Sequence, residues 1–132
     1  MTAASKAYNQ LMPASIPPAL HNQRYISLSS FRRSGAAVAT PLWFAEADGK
    51  LYFMTRSDSA KFKRIRNRAD VKVAPCTMRG RVTGPEFPAM ARVLPEADWP
   101  AARGLLARKY WLMKIPFLWS SKNAFFEITF AS

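Results

Sequence analysis

Leu51-Tyr-Phe-Met54-Thr-Arg-Ser-Asp-Ser-Ala-Lys61-Phe-Lys-Arg-Ile-Arg-Asn-Arg68 changes period in its middle. The first four residues are an apolar run that reads as a strand. From Ala60 onward the apolar residues Ala60, Phe62, Ile65 and Ala69 follow helical spacing, and basic residues fill the gaps. Thr55, Ser57 and Ser59 lie at the junction. Arg56, Lys61, Lys63, Arg64, Arg66 and Arg68 supply six positive charges against one acid, Asp58. A strand that turns into a basic helix through small hydroxyls can hold an anion. The first N–H groups of a helix lack intrahelical partners, the helix dipole adds partial positive charge, and Lys61 lies within the first turn. A plainer reading is equally open: Asp58 or Ser57 caps the helix, and the cations form a solvated face.

Upstream, Tyr25-Ile-Ser-Leu-Ser-Ser-Phe31 alternates as a half-buried strand does. Arg32-Arg-Ser-Gly35 is a turn, and Ala37 to Ala45 is a second strand. Pro41 cannot donate to a ladder. It marks an edge, a bulge or a place where a ligand stands in for the missing neighbour. Asp48-Gly49 is a hairpin signal, and Lys50 to Thr55 is the third strand, so the first three form an antiparallel meander. Pro17 to Gln23 fits a short helical turn with proline at its start. Residues 1–21 read as an N-terminal arm with room for a short helix, and 22–132 as the folded domain.

Downstream, Val71 to Pro75 is a fourth strand, Arg79-Gly80-Arg81 a turn, and Glu86 to Leu94 a fifth strand. Trp99 to about Met113 has helical spacing, with Pro116 as its stop. Phe125 to Phe130 closes the chain as a sixth strand. The aromatic stretch Trp111 to Trp119 either packs on the barrel or a partner, or lines a pocket for a bulky apolar molecule. About six antiparallel strands must pair or close their edges, which predicts a mainly β domain: a small barrel with two helices at its rim.

Length and composition agree with one globular domain. The chain has 132 residues, about half of them apolar. One cysteine, Cys76, and one histidine, His21, give neither a disulfide nor metal-ligand spacing. A reducing, cytoplasmic setting is the expectation, with no signal peptide and no run long enough for a transmembrane segment. The net charge is +12, and acids are absent from Met1 to Ala45 and from Trp99 to Phe126. A field of that size draws anionic partners: nucleic acid, anionic lipid, or a phosphorylated or polycarboxylate ligand.

The order of these elements carries a resemblance. Its residues are Tyr25 to Arg32, Gly35, Val38-Ala-Thr-Pro-Leu-Trp-Phe44, Leu51-Tyr-Phe with Thr55, Ser59-Ala-Lys61, Ile65-Arg-Asn67, Val71 to Cys76, Arg79-Gly-Arg81 with Gly84, and Leu105 to Tyr110. The chain resembles the FMN-binding split β-barrel family typified by pyridoxamine 5′-phosphate oxidase. Within it, the chain is most similar to the branch of F420-dependent oxidoreductases. The resemblance implies a homodimer with its cofactor in a groove at the interface. Thr55, Ser59, Ala60 and Lys61 would hold the phosphate. Val38, Ala39, Thr40, Pro41, Leu42 and Trp43 would lie along the ring, and Arg79-Gly80 would approach it.

The expected cofactor is coenzyme F420, a deazaflavin whose polyglutamate tail suits the basic surface, with FMN as the alternative. The cofactor would carry a hydride to or from a small electron-poor substrate. No acid–base pair stands out; His21 and Tyr25 are candidate proton donors or plain structural residues. Two rivals remain: a flavin- or F420-binding protein without turnover, and a nucleic-acid module that stacks bases on Trp43, Tyr52 or Phe62.

Overall fold

A computed structural model describes residues 15–110 and 122–130. The N-terminal arm through residue 14 and the stretch Trp111 to Trp119 lie outside the described residues, as do Met113 and Pro116. The strands are β1 (Ile26–Phe31), β2 (Ala37–Leu42), β3 (Ala45–Ala47), β4 (Lys50–Arg56), β5 (Asp70–Pro75), β6 (Phe87–Val93) and β7 (Asn123–Thr129). The helices are α1 (Ala60–Asn67) and α2 (Trp99–Lys109), and a 3-10 turn at Pro18–Leu20 precedes β1.

All pairings are antiparallel, in the order β2-β1-β5-β6-β7-β4-β3. β2 and β3 therefore occupy opposite edges of the sheet, yet only Trp43 and Phe44 separate them in sequence. Three Cα steps span at most about 11 Å. The sheet has to curl until its edges meet, and the result is a split β-barrel.

There are seven strands among the described residues, not six. The expected second strand, Ala37 to Ala45, breaks at Trp43-Phe44 and continues on the other edge. Its ladder partners are replaced there by one side chain. The Phe44 N–H donates to Tyr110 Oη at 3.1 Å, and the Tyr110 hydroxyl proton is shared between Arg24 O at 2.7 Å and Phe44 O at 3.0 Å. The backbone groups at the break are thus paired without a neighbouring strand.

The barrel interior holds Ile26, Leu28, Phe44, Leu51, Phe53, Val71, Val73, Phe126 and Ile128. Phe53 and Phe126 are register partners on β4 and β7, and their rings stack at 4.9 Å. Burying each such side chain contributes about 1.5–3 kcal/mol. Ile65 and Phe62 of α1 close one end of this core, while Leu106 and Tyr110 pack with Ala45 and Phe125 in a second cluster. Ile16 and Leu20 also enter the main core. Asp48 (φ 52°) and Gly49 (φ 76°) form the β3–β4 hairpin, both in the left-handed region such a turn requires. Cys76 is buried immediately after β5.

Candidate functional site

The junction of β4 and α1 is built around Ser59. Its hydroxyl accepts from the Phe62 N–H at 3.1 Å, and Thr55 Oγ1 lies 3.3 Å away. Ser59 is therefore the N-cap, not Asp58 or Ser57. Asp58 is unavailable because Arg56 grips it with two hydrogen bonds of 3.0 Å, and Lys122 lies 3.6 Å from it. The hydrogen bond from Arg56, ahead of the charges of Arg56 and Lys122, holds the Asp58 carboxyl down at about 2.

Capping does not exhaust this junction. Thr55 and Ser59 share one hydrogen bond, which leaves one of their two hydroxyl protons over, and Ala60 places no bulk at the first turn. Lys61 is partly buried, and burial, with the charge of Arg64 second, pushes its amine down to about 8. Among the described residues no carboxylate lies within ion-pair distance of Lys61, Lys63, Arg64 or Arg66. A desolvated amine with another cation as its electrostatic neighbour favours an anion.

α1 also reaches β1. Arg64 Nε donates to the Ser30 hydroxyl at 2.7 Å. Ser30 pairs in register with Val38, so Arg64 stands beside the start of β2. A concavity of about 470 Å³ opens there between the β1–β2 turn and α1, lined by Phe31, Arg32, Arg33, Lys63, Arg64, Asn67 and Arg68. Arg68 lies 4.3 Å over the Phe31 ring and pairs with Asp70.

β2 is an edge strand, which is how Pro41 is tolerated. Ala37, Ala39 and Pro41 are exposed along one face, and Val38 and Thr40 are half-buried on the other. Thr40 Oγ1 is buried and has no hydrogen-bond partner among the described residues. At the far end of β2 an apolar pocket of about 220 Å³ is lined by Pro41, Leu42, Trp43, Met54 and Leu106. The Arg79-Gly80 turn closes against it: Gly80 has φ 89°, and a Cβ there would stand 3.5 Å from Pro41 Cδ.

The residues named from the sequence thus form two groups. Thr55, Ser59, Ala60 and Lys61 meet at the start of α1; Pro41, Leu42, Trp43 and Gly80 meet at the apolar pocket. Met54 and Thr55 are adjacent on β4 but project to opposite faces, as neighbours on a strand do. Val38, Ala39 and Thr40 run between the basic concavity and the pocket. Arg79 is exposed in its turn. Met54, Leu106 and Tyr110, and the cations Arg32 and Arg33, were not among the site residues named from the sequence; Arg64 was named only as one of the cations of the basic helix. The four-residue spacing of Leu106 and Tyr110 along the second helix, and their place in the resemblance, were their sequence signals.

The other candidates fall elsewhere. His21 Nδ1 lies 2.8 Å from Glu46 Oε2 at an exposed corner, and the Asn22 N–H donates to the same carboxylate. The three rings offered for base stacking are partly buried, and each is engaged by a neighbour in the fold. Phe62 meets Phe126 edge-on at 5.6 Å, Trp43 stacks on Tyr110 at 4.7 Å, and the Tyr52 hydroxyl lies 3.5 Å from Glu127. No group of three metal-ligating side chains occurs among the described residues, and no helix there is long and apolar enough to cross a membrane.

No family model and no curated protein matches the chain in sequence. Solved structures do match. A protein of unknown function from Agrobacterium tumefaciens superposes with a TM-score of 0.72 at 16% identity; the match covers 100% of this chain and 56% of that one. An FAD-binding protein from Mesorhizobium loti matches at TM-score 0.61 and 17% identity, over 100% of this chain and 90% of its own. A candidate pyridoxamine 5′-phosphate oxidase from Listeria innocua matches at 0.58 and 14%, over 83% and 86%. A heme binding protein from Mycobacterium smegmatis and the heme storage protein HutZ from Vibrio cholerae, each 9% identical, have the same fold; this chain spans 47% of the former. The chain is a split β-barrel, and at these identities the likeness carries the fold alone.

Proposed function

We propose that the protein binds a phosphate-bearing flavin or deazaflavin along β2 and serves as an oxidoreductase for a small electron-poor substrate. One observation carries this reading: polarity changes in order along a single edge strand. A basic concavity stands at the start of β2, an apolar pocket at its end, and a buried, unpartnered hydroxyl, Thr40 Oγ1, lies between them. Val38 to Trp43 spans about 17 Å at strand rise. That arrangement suits a long ligand with a flat apolar head and an anionic tail. The FAD-binding neighbour from Mesorhizobium loti makes the same ligand class reasonable for this fold.

The residues present fit such a ligand. Thr55, Ser59 and Lys61 would hold a phosphate, with the first N–H groups of α1. Arg32, Arg33 and Lys63 add charge beyond what one phosphate needs, which favours F420 with its carboxylate tail over FMN. When bound, the ring supplies two-electron hydride chemistry. Pro41, Leu42, Trp43, Met54 and Leu106 would exclude water from the head and offer no side-chain proton donor apart from the Trp43 N–H. The proton that accompanies the hydride would then have to reach the substrate from outside this apolar pocket. A homodimer would cover the exposed edge of β2, where Ala37, Ala39 and Pro41 leave room for a close approach.

Titration with F420 and with FMN, followed by cofactor fluorescence, tests the reading. Micromolar or tighter binding of F420 with weaker binding of FMN is expected. The reverse order would assign the site to a flavin, and binding of neither would refute it.

A further inference from the structure

Trp43 sits where the chain leaves one sheet edge for the other, so no continuous ladder fixes its plane. It is only partly buried, and burial alone does not fix it either. What holds it is Tyr110. The two rings lie 4.7 Å apart with their planes 8° from parallel. The Tyr110 hydroxyl ties the next residue, Phe44, through both its N–H and its C=O, and ties Arg24 at the entrance to β1. Lys109 reinforces the same corner: its Nζ donates to Gln23 O at 2.6 Å and stands 3.6 Å over the Phe44 ring. One turn earlier on α2, Leu106 forms another wall of the apolar pocket that Trp43 lines. A single helix end therefore supplies one lining residue of the pocket and the buttress of another.

We propose that Tyr110 is a positioning residue: it holds Trp43 as a flat, rigid wall of the apolar pocket and so sets that pocket's preference for a planar ring. The inference rests on the flavin or deazaflavin reading for its ligand. It adds that affinity for the ring is set by a hydroxyl that touches only backbone.

The test uses ligand pairs that differ in the anionic end: FMN with riboflavin, and F420 with its phosphate-free chromophore. Tyr110→Phe keeps a ring against Trp43 and loses the backbone ties. It should weaken both members of a pair by the same factor, roughly tenfold, and leave the preference for the phosphate-bearing member unchanged. Lys61→Ala should do the opposite, weakening only the phosphate-bearing member. A purely structural role for Tyr110 would loosen the phosphate end as well and erode that preference. Trp43→Leu keeps the Tyr110 hydrogen bonds and removes the flat wall, so it answers the question if Tyr110→Phe does not fold; an equal loss for both members is expected. Binding of both members as tightly as the parent in either variant, or a loss confined to the phosphate-bearing member, overturns the inference alone. Failure of the parent to bind any of the four ligands overturns it together with the reading it rests on.

Discussion

The Ser59 hydroxyl accepts the Phe62 N–H at 3.1 Å and so fixes where α1 begins. Replacing Ser59 with Ala should cost about 1 kcal/mol of stability, the usual loss for an N-cap. Urea denaturation checks this. The same variant should bind an anionic cofactor more weakly, because Lys61 and the first N–H groups lose the hydroxyl that organises their turn. Unchanged stability would mean that the cap contributes nothing here.

Lys61→Ala should weaken cofactor binding by about ten- to a hundredfold, the worth of a charge-assisted contact of roughly 1.5–3 kcal/mol. Isothermal titration at fixed salt reads it. Binding as tight as the parent would remove Lys61 from the site.

The pH dependence follows from Lys61 and Lys109, both held down at about 8 chiefly by burial. Between pH 8 and the ordinary lysine range near 10.5, the unfolded chain binds more protons at these positions than the fold does. Stability from these two groups therefore rises with pH across that window. Tyr110 acts in the opposite sense: burial raises it to about 12, so above pH 10 the unfolded chain loses a proton that the fold retains, and its contribution falls. Denaturation midpoints measured from pH 7 to 10 should rise, and Lys61→Met should flatten part of that rise. Cofactor affinity should fall as pH passes about 8, where free Lys61 loses its charge.

Asp58→Asn removes an acid that lies beside the start of α1. Its pairs with Arg56 and Lys122 are exposed, so the melting temperature should scarcely change. Affinity for an anionic ligand should increase at low salt and return toward the parent value as salt is added. Weaker binding would place Asp58 in the site as a positioning group for Arg56.

Gly80→Ala should destabilise by about 1 kcal/mol or more, since φ of 89° disfavours any Cβ. The added Cβ meets Pro41 only at ordinary contact distance, so the cost lies in the backbone and not in a clash. Loss of ring affinity beyond the loss of stability would tie the turn to the pocket.

Local pattern determined much of this protein. Helical spacing from Ala60 to Ile65 gave α1 and Asp48-Gly49 gave the hairpin, because each depends on residues within a few positions; Pro41 left an edge, a bulge and a ligand contact open, and the strand order made it an edge. The basic character of the α1 region was equally legible, since charge needs no partner to be counted. Other features depended on residues far apart in sequence. The break at Trp43-Phe44 depends on Tyr110, 66 positions away, whose hydroxyl pairs backbone groups that a ladder would otherwise claim. The cap went to Ser59 because Arg56 and Lys122 occupy Asp58, and Lys122 reaches it from the turn before β7. The apolar pocket joins β2, β4 and α2, and Arg64 finds Ser30 only once α1 lies against β1. Sequence fixes each segment's own period and charge; which segments share a pocket is decided by how the sheet curls to bring its edges together.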